Sequence, residues 1–482
     1  MIWLNVLNIT KMDTESMKVG QKMHVITEEL IRQYDIAGPR YTSYPTADRF
    51  VNAFDHDQYT NALSLRRKGL TSNVLPLSIY IHIPFCESLC YYCACNKIIT
   101  KHYDRALNYL DLLEKEIELQ TNFLGPKQSV SQLHLGGGSP TYINDDDLHQ
   151  LMITLREKFN LTPKAEMSIE IDPRTVDRNR LVHLRELGFN RISFGVQDFD
   201  PDVQQAIHRV QPFEQVKALM HSARSIGFES INTDLIYGLP KQSPDSFAKT
   251  LEQIIELSPD RIAIYGYAHL PEKFKPQRRI NTSELPTAGE KISMLSNALS
   301  TLESQGYVYI GMDHFAKETD SLTIAKNTGR LHRNFQGYST QPDGDLLAFG
   351  VSSIGKVGAT YSQNAKTIEE YADLLEQGQI PIVKGLRLSR EDLLRRAVIM
   401  AIMCQGEIVF ESIEFDYLIH FKDTFKHELE KLEVFHDQGM IAMDDKGFKV
   451  TEMGWYFVRA IAMQFDKYLN FDFENNKFSK II

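Results

Sequence analysis

Four cysteines fall close together, Cys86, Cys90, Cys93 and Cys95, while the fifth, Cys404, stands far downstream. Thiols this near along a chain seldom reach bridging geometry as two pairs, so the cluster points to metal or redox chemistry rather than to a disulfide framework. The spacing Cys86-x3-Cys90-x2-Cys93 places three thiolates on one tight loop. That is enough to bind three irons of a four-iron, four-sulfur cluster and leave the last iron open to a chelating substrate. The spacing also leaves open a zinc site closed by Cys95, His82 or His102, although zinc ligands more often come in two pairs on separate turns. Cys95 lies too near Cys93 to act as a further ligand without distorting the loop. It is expected either to stand behind the ligands or to touch a bound cofactor.

The elements that must position this loop are legible in the alternation around it. Short β-rich runs occur at residues 78–84 (SIYIHIP), 131–135 (SQLHL), 167–172 (MSIEID), 191–196 (RISFGV), 230–236 (SINTDLI) and 261–267 (RIAIYGY). Between them lie segments of helical period at 103–120, 146–159, 178–187, 212–226 and 246–257, two of them followed by a glycine suited to a helix end, Gly188 and Gly227. Six strands alternating with helices imply parallel pairing with right-handed crossovers. Six units are too few to close an eight-stranded barrel, so the expected fold is α/β, an open partial (β/α)6 TIM-like barrel. In such a fold the chemistry belongs at the C-terminal strand ends. The cysteines follow the first strand there, Gly136–Ser139 the second, Glu170 and Asp172 the third, Gln197 the fourth and Asp234 the fifth.

Residues 34–46 (YDIAGPRYTSYPT) suit a loop packed near the site rather than a helix. Beyond residue 385, segments 386–403 and 426–432 read as helices and 440–451 as a β-hairpin turning at Asp445-Lys446-Gly447. The domain reading is an N-terminal extension over 1–30, expected to be poorly ordered at its start, a catalytic domain over 31–385 that includes the loop, and a small, mostly helical, winged-helix-like domain over 386–482.

With 53 basic and 63 acidic residues in 482, the formal charge is −10, which disfavours nucleic acid and anionic membranes. The apolar run at residues 1–10 is too short to span a bilayer and lacks the basic flank of an export signal, so a cytoplasmic protein is expected. A polyanionic partner would need a dedicated pocket of Arg or Lys.

The run from Tyr80 through Cys86, Cys90, Cys93 and Cys95 to Lys97 (YIHIPFCESLCYYCACNK) resembles the cluster loop of the oxygen-independent coproporphyrinogen III oxidases, a radical S-adenosylmethionine (SAM) family of haem biosynthesis. The likeness extends through residues 38–46 (GPRYTSYPT), 136–141 (GGGSPT), 170–174 (EIDPR), 195–198 (GVQD), 234–240 (DLIYGLP), 267–271 (YAHLP), 311–315 (GMDHF) and 332–338 (HRNFQGY). It implies oxidative decarboxylation of two propionates of coproporphyrinogen III to vinyls, giving protoporphyrinogen IX without molecular oxygen. The hydrogen is abstracted by a 5′-deoxyadenosyl radical from SAM. It further implies one 4Fe–4S cluster on Cys86, Cys90 and Cys93, two molecules of SAM, an external low-potential electron donor, and a monomer.

The contacts to SAM carried over by motif are Tyr80, Tyr92, Gly137, Gly138, Ser139, Glu170, Gln197, Arg209, Asp234, Ala268 and Ile354. Tyr80, His82 and Cys95 are the candidates for a part in catalysis, with a buried, satisfied histidine as the other reading of His82. Asp234 and Arg209 are the chargeable pair in the set, and a salt bridge between strand ends is the alternative to cofactor binding. Candidates for the substrate's carboxylates are Arg40, Arg278, Arg279, Arg330 and Arg333, with surface solvation preferred for Arg278 and Arg279. Three positions depart from the family pattern: Ala94 where Gly is frequent, Leu135 where Trp is common, and Ser139 for Thr. A haem-binding chaperone of the related lineage is the alternative function, but its members typically lack the Cys93-x-Cys95 end and the 40–46 motif, both present here.

Overall fold

All six β-rich runs form strands: β1 (Leu77–Ile83), β2 (Gln128–Gly137), β3 (Phe159–Ile171), β4 (Arg191–Gln197), β5 (Ser230–Tyr237) and β6 (Arg261–Gly266). These come from a computed structural model that describes residues 28–34, 36–69 and 75–469. Each strand pairs in parallel with the next. Six of the seven residues of β1 are buried, as a parallel strand covered on both faces requires. The intervening helices carry clear boundary signals. Helix Pro244–Leu257 starts at a capping box between Ser243 and Ser246 and turns Phe247, Leu251 and Ile254 into the core. Helix Phe213–Ile226 ends at Gly227, whose φ of 94° is left-handed backbone that glycine adopts without strain.

The sheet extends beyond the six expected strands. β7 (Tyr307–Gly311), β8 (His314–Lys317), β9 (Leu346–Phe349), β10 (Ile354–Val357), β11 (Thr360–Asn364) and β12 (Ile382–Arg387) complete a twelve-stranded sheet in the order β12-β11-β10-β9-β1-β2-β3-β4-β5-β6-β8-β7. Its ends do not meet, so the barrel is open. β9 runs parallel to β1, which makes the parallel core seven strands instead of six. This strand is a four-residue apolar run, LLAF, and so short a run carries no period that separates strand from helix. β3 is also longer than expected and takes Phe159 from the predicted helix. Its first residues pair with Gln128–Val130, and Pro163 falls where the register shifts.

The predicted extension over 1–30 lies mostly outside the described residues. Loop 34–46 is irregular, as expected, and buried: Tyr41 and Tyr44 are almost fully enclosed. They share a core with Ile310 and Met312 and with the C-terminal helices. The Tyr41 hydroxyl donates to Asp466, and the buried Arg459 donates to the carbonyls of Gly38 and Pro39. At the predicted boundary after residue 385, Leu386 and Arg387 belong to β12. The helix starts only at Arg390, behind the capping box of Ser389 and Asp392. The expected hairpin forms as Ile441–Met443 and Gly447–Val450, joined by Glu407–Val409. Among the described residues no helix is long and apolar enough to cross a membrane.

Beyond strand pairing, a buried carboxyl ties the barrel to its antiparallel flank. Glu116, on helix Asp104–Leu124, accepts hydrogen bonds from Gly350 N, Asn364 Nδ2, the Tyr371 hydroxyl and Gln120 Nε2. Glu116→Leu takes the acceptor from the buried Gly350 N–H and Tyr371 hydroxyl, while Gln120 and Asn364 keep their bonds to Ala348 O and Gly350 O, and is expected to cost about 3 kcal/mol, read as a lower denaturant midpoint in equilibrium unfolding.

Candidate active site

The cysteine loop leaves β1 and is stapled back to it. Phe85–Cys86 and Ile98–Ile99 pair in parallel, with Ile98 N bonded to Pro84 O at 2.7 Å and Thr100 N to Cys86 O at 3.1 Å. Inside the loop, Lys97 Nζ donates to the carbonyls of Cys93 (2.8 Å) and Cys95 (3.3 Å). Tyr91 N binds Ile207 O, and the Tyr91 ring stacks on His208 with centroids 5.0 Å apart. Gln277, nearly fully buried, donates to both Tyr92 O (3.1 Å) and Ala268 O (3.2 Å), tying the loop to the segment after β6.

One cavity of about 310 Å³ collects most of the residues singled out in the sequence. Cys86, Cys90, Cys93, Cys95, Tyr92, Gly137, Gly138, Ser139, Glu170, Gln197, Arg209 and Asp234 all line it, as do Asp172, Arg174 and Tyr265. Cys90 is buried, and its Sγ faces two guanidinium groups, Arg209 Nη1 at 3.5 Å and Arg174 Nη2 at 3.6 Å. Both arginines are held by Asp172, at 3.2 and 2.6 Å, and Arg209 Nη2 also donates to Gly195 O. A hydrogen bond from Cys95, with the help of Lys97, brings the Cys93 thiol down to about 6, whereas burial beside the other thiols pushes Cys86 up to about 12.

The expected alternative for Arg209 and Asp234, a salt bridge between them, is not what forms. Arg209 pairs with Asp172, while Asp234 accepts from the Ser193 hydroxyl and Asn232 Nδ2, both at 2.9 Å. Burial, with the Glu170 charge nearby, raises Asp234 to about 6. Glu170 receives Gly137 N–H at 3.2 Å and faces His134 Nε2 at 3.3 Å. His134 also stacks on Tyr80, with centroids 5.8 Å apart. Gln197 ends β4 with φ 68°, left-handed backbone that a non-glycine residue holds at a cost and that clusters at functional sites.

Four of the residues expected at the cluster or at SAM do not line the cavity, and neither do the five arginines considered for the substrate's carboxylates. His82 is buried with both ring nitrogens engaged, Nδ1 by the Tyr80 hydroxyl (3.1 Å) and Nε2 by Asn96 O (3.0 Å), so it ties the loop to β1. Tyr80 lies beside it. Ala268 meets the loop through Gln277, and Ile354 packs with Phe50, Phe335 and Tyr361 in a separate apolar group. The glycines have a structural reason of their own: a Cβ on Gly138 would stand 2.7 Å from the Pro84 backbone, so the turn after β2 presses directly on the cysteine loop. Sequence reasoning passed over His134 and Gln277 and gave Arg174 no role. Cys404 is buried, its thiol raised to about 12 by burial.

Residues 80–254 match the Radical SAM superfamily model and residues 388–457 the HemN C-terminal domain. The chain is 47% identical to the oxygen-independent coproporphyrinogen III oxidase of Pseudomonas aeruginosa, over 94% of this chain and 98% of that protein. This chain belongs to the oxygen-independent coproporphyrinogen III oxidases. The Escherichia coli enzyme of that name is 44% identical over the same shares. A solved structure of coproporphyrinogen III oxidase (HemN) from Escherichia coli, described as a radical SAM enzyme, superposes with a TM-score of 0.85 at 45% identity, covering 89% of this chain and 97% of that one.

Membership of the radical SAM superfamily implies a 4Fe–4S cluster and SAM, and this oxidase's residues fit both. Four thiols from one loop border a single cavity that also presents carboxylates and two guanidinium groups, and the Arg209 Nε is buried with no hydrogen-bond partner, leaving a donor for an anionic group. Among the described residues no three Cys, His, Asp or Glu side chains are grouped to hold a single metal ion.

Because Gln277 alone joins Tyr92 O to Ala268 O, its loss should loosen the cysteine loop. Gln277→Leu is expected to cost about 2 kcal/mol and to speed amide hydrogen exchange across residues 86–97 at least tenfold. Exchange mass spectrometry on the peptide spanning that loop checks this.

Proposed function

We propose that this chain converts coproporphyrinogen III to protoporphyrinogen IX by oxidative decarboxylation of two propionate side chains, without molecular oxygen. The single observation that carries the reading is the convergence of the three-cysteine loop and the strand-end residues Glu170, Gln197, Arg209 and Asp234 on one cavity. In each conversion the propionate loses a hydrogen atom from its β-carbon, carbon dioxide and one electron, and a vinyl group remains. The cluster and SAM, when bound, supply the radical that takes the hydrogen.

The chain's own residues bind, orient and exclude water. Cys86, Cys90 and Cys93 hold the cluster, and Arg174 and Arg209 place positive charge at the Cys90 sulfur. Glu170, fixed between Gly137 N–H and His134, offers its carboxylate to an amine or ribose hydroxyl. Tyr80, Tyr92, Gly137, Gly138, Ser139, Gln197, Arg209, Asp234, Ala268 and Ile354 complete the contacts to two SAM molecules. Cys95 acts from behind the cluster ligands, an assignment supported by its hydrogen bond to Cys93. His82 acts as a positioning residue, holding the Tyr80 hydroxyl and the loop carbonyl of Asn96. An external low-potential donor supplies the electron, and the working form is a cytoplasmic monomer that needs neither nucleic acid nor membrane.

Anaerobically reconstituted protein given coproporphyrinogen III, SAM and a low-potential reductant is expected to yield a product lighter by two carbon dioxide and two hydrogen molecules. No vinyl product from protein that carries its full iron overturns the assignment. In the same preparations, Cys90→Ala is expected to lose the cluster and the activity together, whereas Cys95→Ala keeps its iron. Iron content and the visible spectrum separate the two, and loss of iron from Cys95→Ala contradicts the role given to that residue.

A further inference from the structure

One strongly basic group in the interior has no carboxylate paired with it among the described residues. Arg333 sits on the hairpin His332–Asn334/Gly337–Ser339, is 4% exposed, and has Nε and Nη1 buried with no hydrogen-bond partner. Its guanidinium lies 4.6 Å from the ring centroid of Tyr338, the residue opposite it in the hairpin. From there an aromatic path leads to the cavity: Tyr338 meets His314 edge-on at 5.6 Å, and His314 meets Tyr265 at 6.0 Å. Tyr265 lines the cavity beside Asp234 and Ile236.

A second guanidinium closes the same group. Arg40 lies 5.5 Å over the face of Tyr265, and its Nη2 pairs with Asp313 at 2.7 Å while 35% of its side chain stays open. Arg459 is near enough to be held down to about 9 by burial and by Arg40, but its donors go to the carbonyls of Gly38 and Pro39, which places Arg40 in the site. His314 is pushed down to about 4 by burial and by Arg333. Three guanidinium groups thus share one interior region with Asp313 as the carboxylate that pairs there. A buried positive charge without a partner is costly, and a guanidinium matches a carboxylate through two parallel hydrogen bonds.

We infer that Arg40 and Arg333 form a carboxylate subsite at the Tyr265 end of the cavity that holds one propionate of the tetrapyrrole substrate. The inference rests on the function proposed above and names what orients that substrate. Neither Arg278 nor Arg330 serves this purpose: Arg278 donates to Pro271 O at the surface, and Arg330 is exposed.

The test is equilibrium binding to the reconstituted, SAM-loaded protein of two probes under anaerobic conditions: coproporphyrin III, which carries the same four propionates and does not react, and its tetramethyl ester. Wild-type protein is expected to bind the tetra-acid well and the ester poorly. Arg333→Gln should weaken the tetra-acid about 10- to 100-fold with no change for the ester, and Arg333→Lys should recover part of the loss. Arg333→Gln that keeps its iron and melting temperature but binds the tetra-acid within twofold of wild type overturns the subsite and leaves the proposed reaction standing. Wild-type protein that binds neither probe overturns the tetrapyrrole reading itself. If Arg333→Gln fails to fold, Arg40→Gln, at a partly open side chain, carries the same comparison with the same thresholds.

Discussion

Three cysteine sulfurs gathered on one short loop repel one another as they ionise, and the site is organised around neutralising that charge. The Cys90 sulfur is met by Arg174 and Arg209, each within about 3.6 Å, and both are oriented by the single carboxylate of Asp172 at the end of β3. Lys97 brings an ammonium to the other side through the carbonyls of Cys93 and Cys95. Hydrogen bonds to the sulfurs are among the factors that set the potential of an iron–sulfur centre. The loop could not be held this way on a free-standing turn, because the groups that balance it come from the turn after β3, from the segment after β4 and from the loop itself.

That requirement gives the open barrel its purpose. Parallel strands bring their C-terminal ends to one rim, so residues far apart in sequence, Glu170, Gln197, Arg209 and Asp234, face the cysteines across a single cavity. Loop 34–46 and the C-terminal helices pack together beside it. Arg459, from the C-terminal helices, fixes the backbone of Gly38 and Pro39, and this sets Arg40 against Tyr265 on the cavity wall. The C-terminal domain therefore contributes to the site through the loop it pins.

Much of this was legible before any coordinates. The cysteine spacing pointed to metal or redox chemistry, and the six parallel strands were readable because alternating β-rich runs and capped helices leave strong local signals. What escaped has a common cause, dependence on partners that only the fold supplies. β9 is too short to show a period, and its assignment depends on pairing with β1. Gln277 is an unremarkable glutamine until its amide is seen bridging Tyr92 and Ala268. His134 is an inward-facing strand residue whose bonds to Ser168 and Glu170 cross to a neighbouring strand. The alternative to cofactor binding, a salt bridge from Arg209 to Asp234, does not form, because the position of Arg209 after β4 brings it to Asp172, while Ser193 and Asn232 satisfy Asp234. Sequence gathered the residues that line the rim better than it paired them.

The central claim is that three thiols, Cys86, Cys90 and Cys93, hold a four-iron cluster with one iron left to bind SAM. Mössbauer spectroscopy of the anaerobically reconstituted protein, recorded with and without SAM, tests it most directly. The account predicts about four irons per chain, with a quarter of the signal shifting when SAM is added and the rest unchanged. Four equivalent irons indifferent to SAM, or a preparation that binds zinc in place of iron, would contradict it.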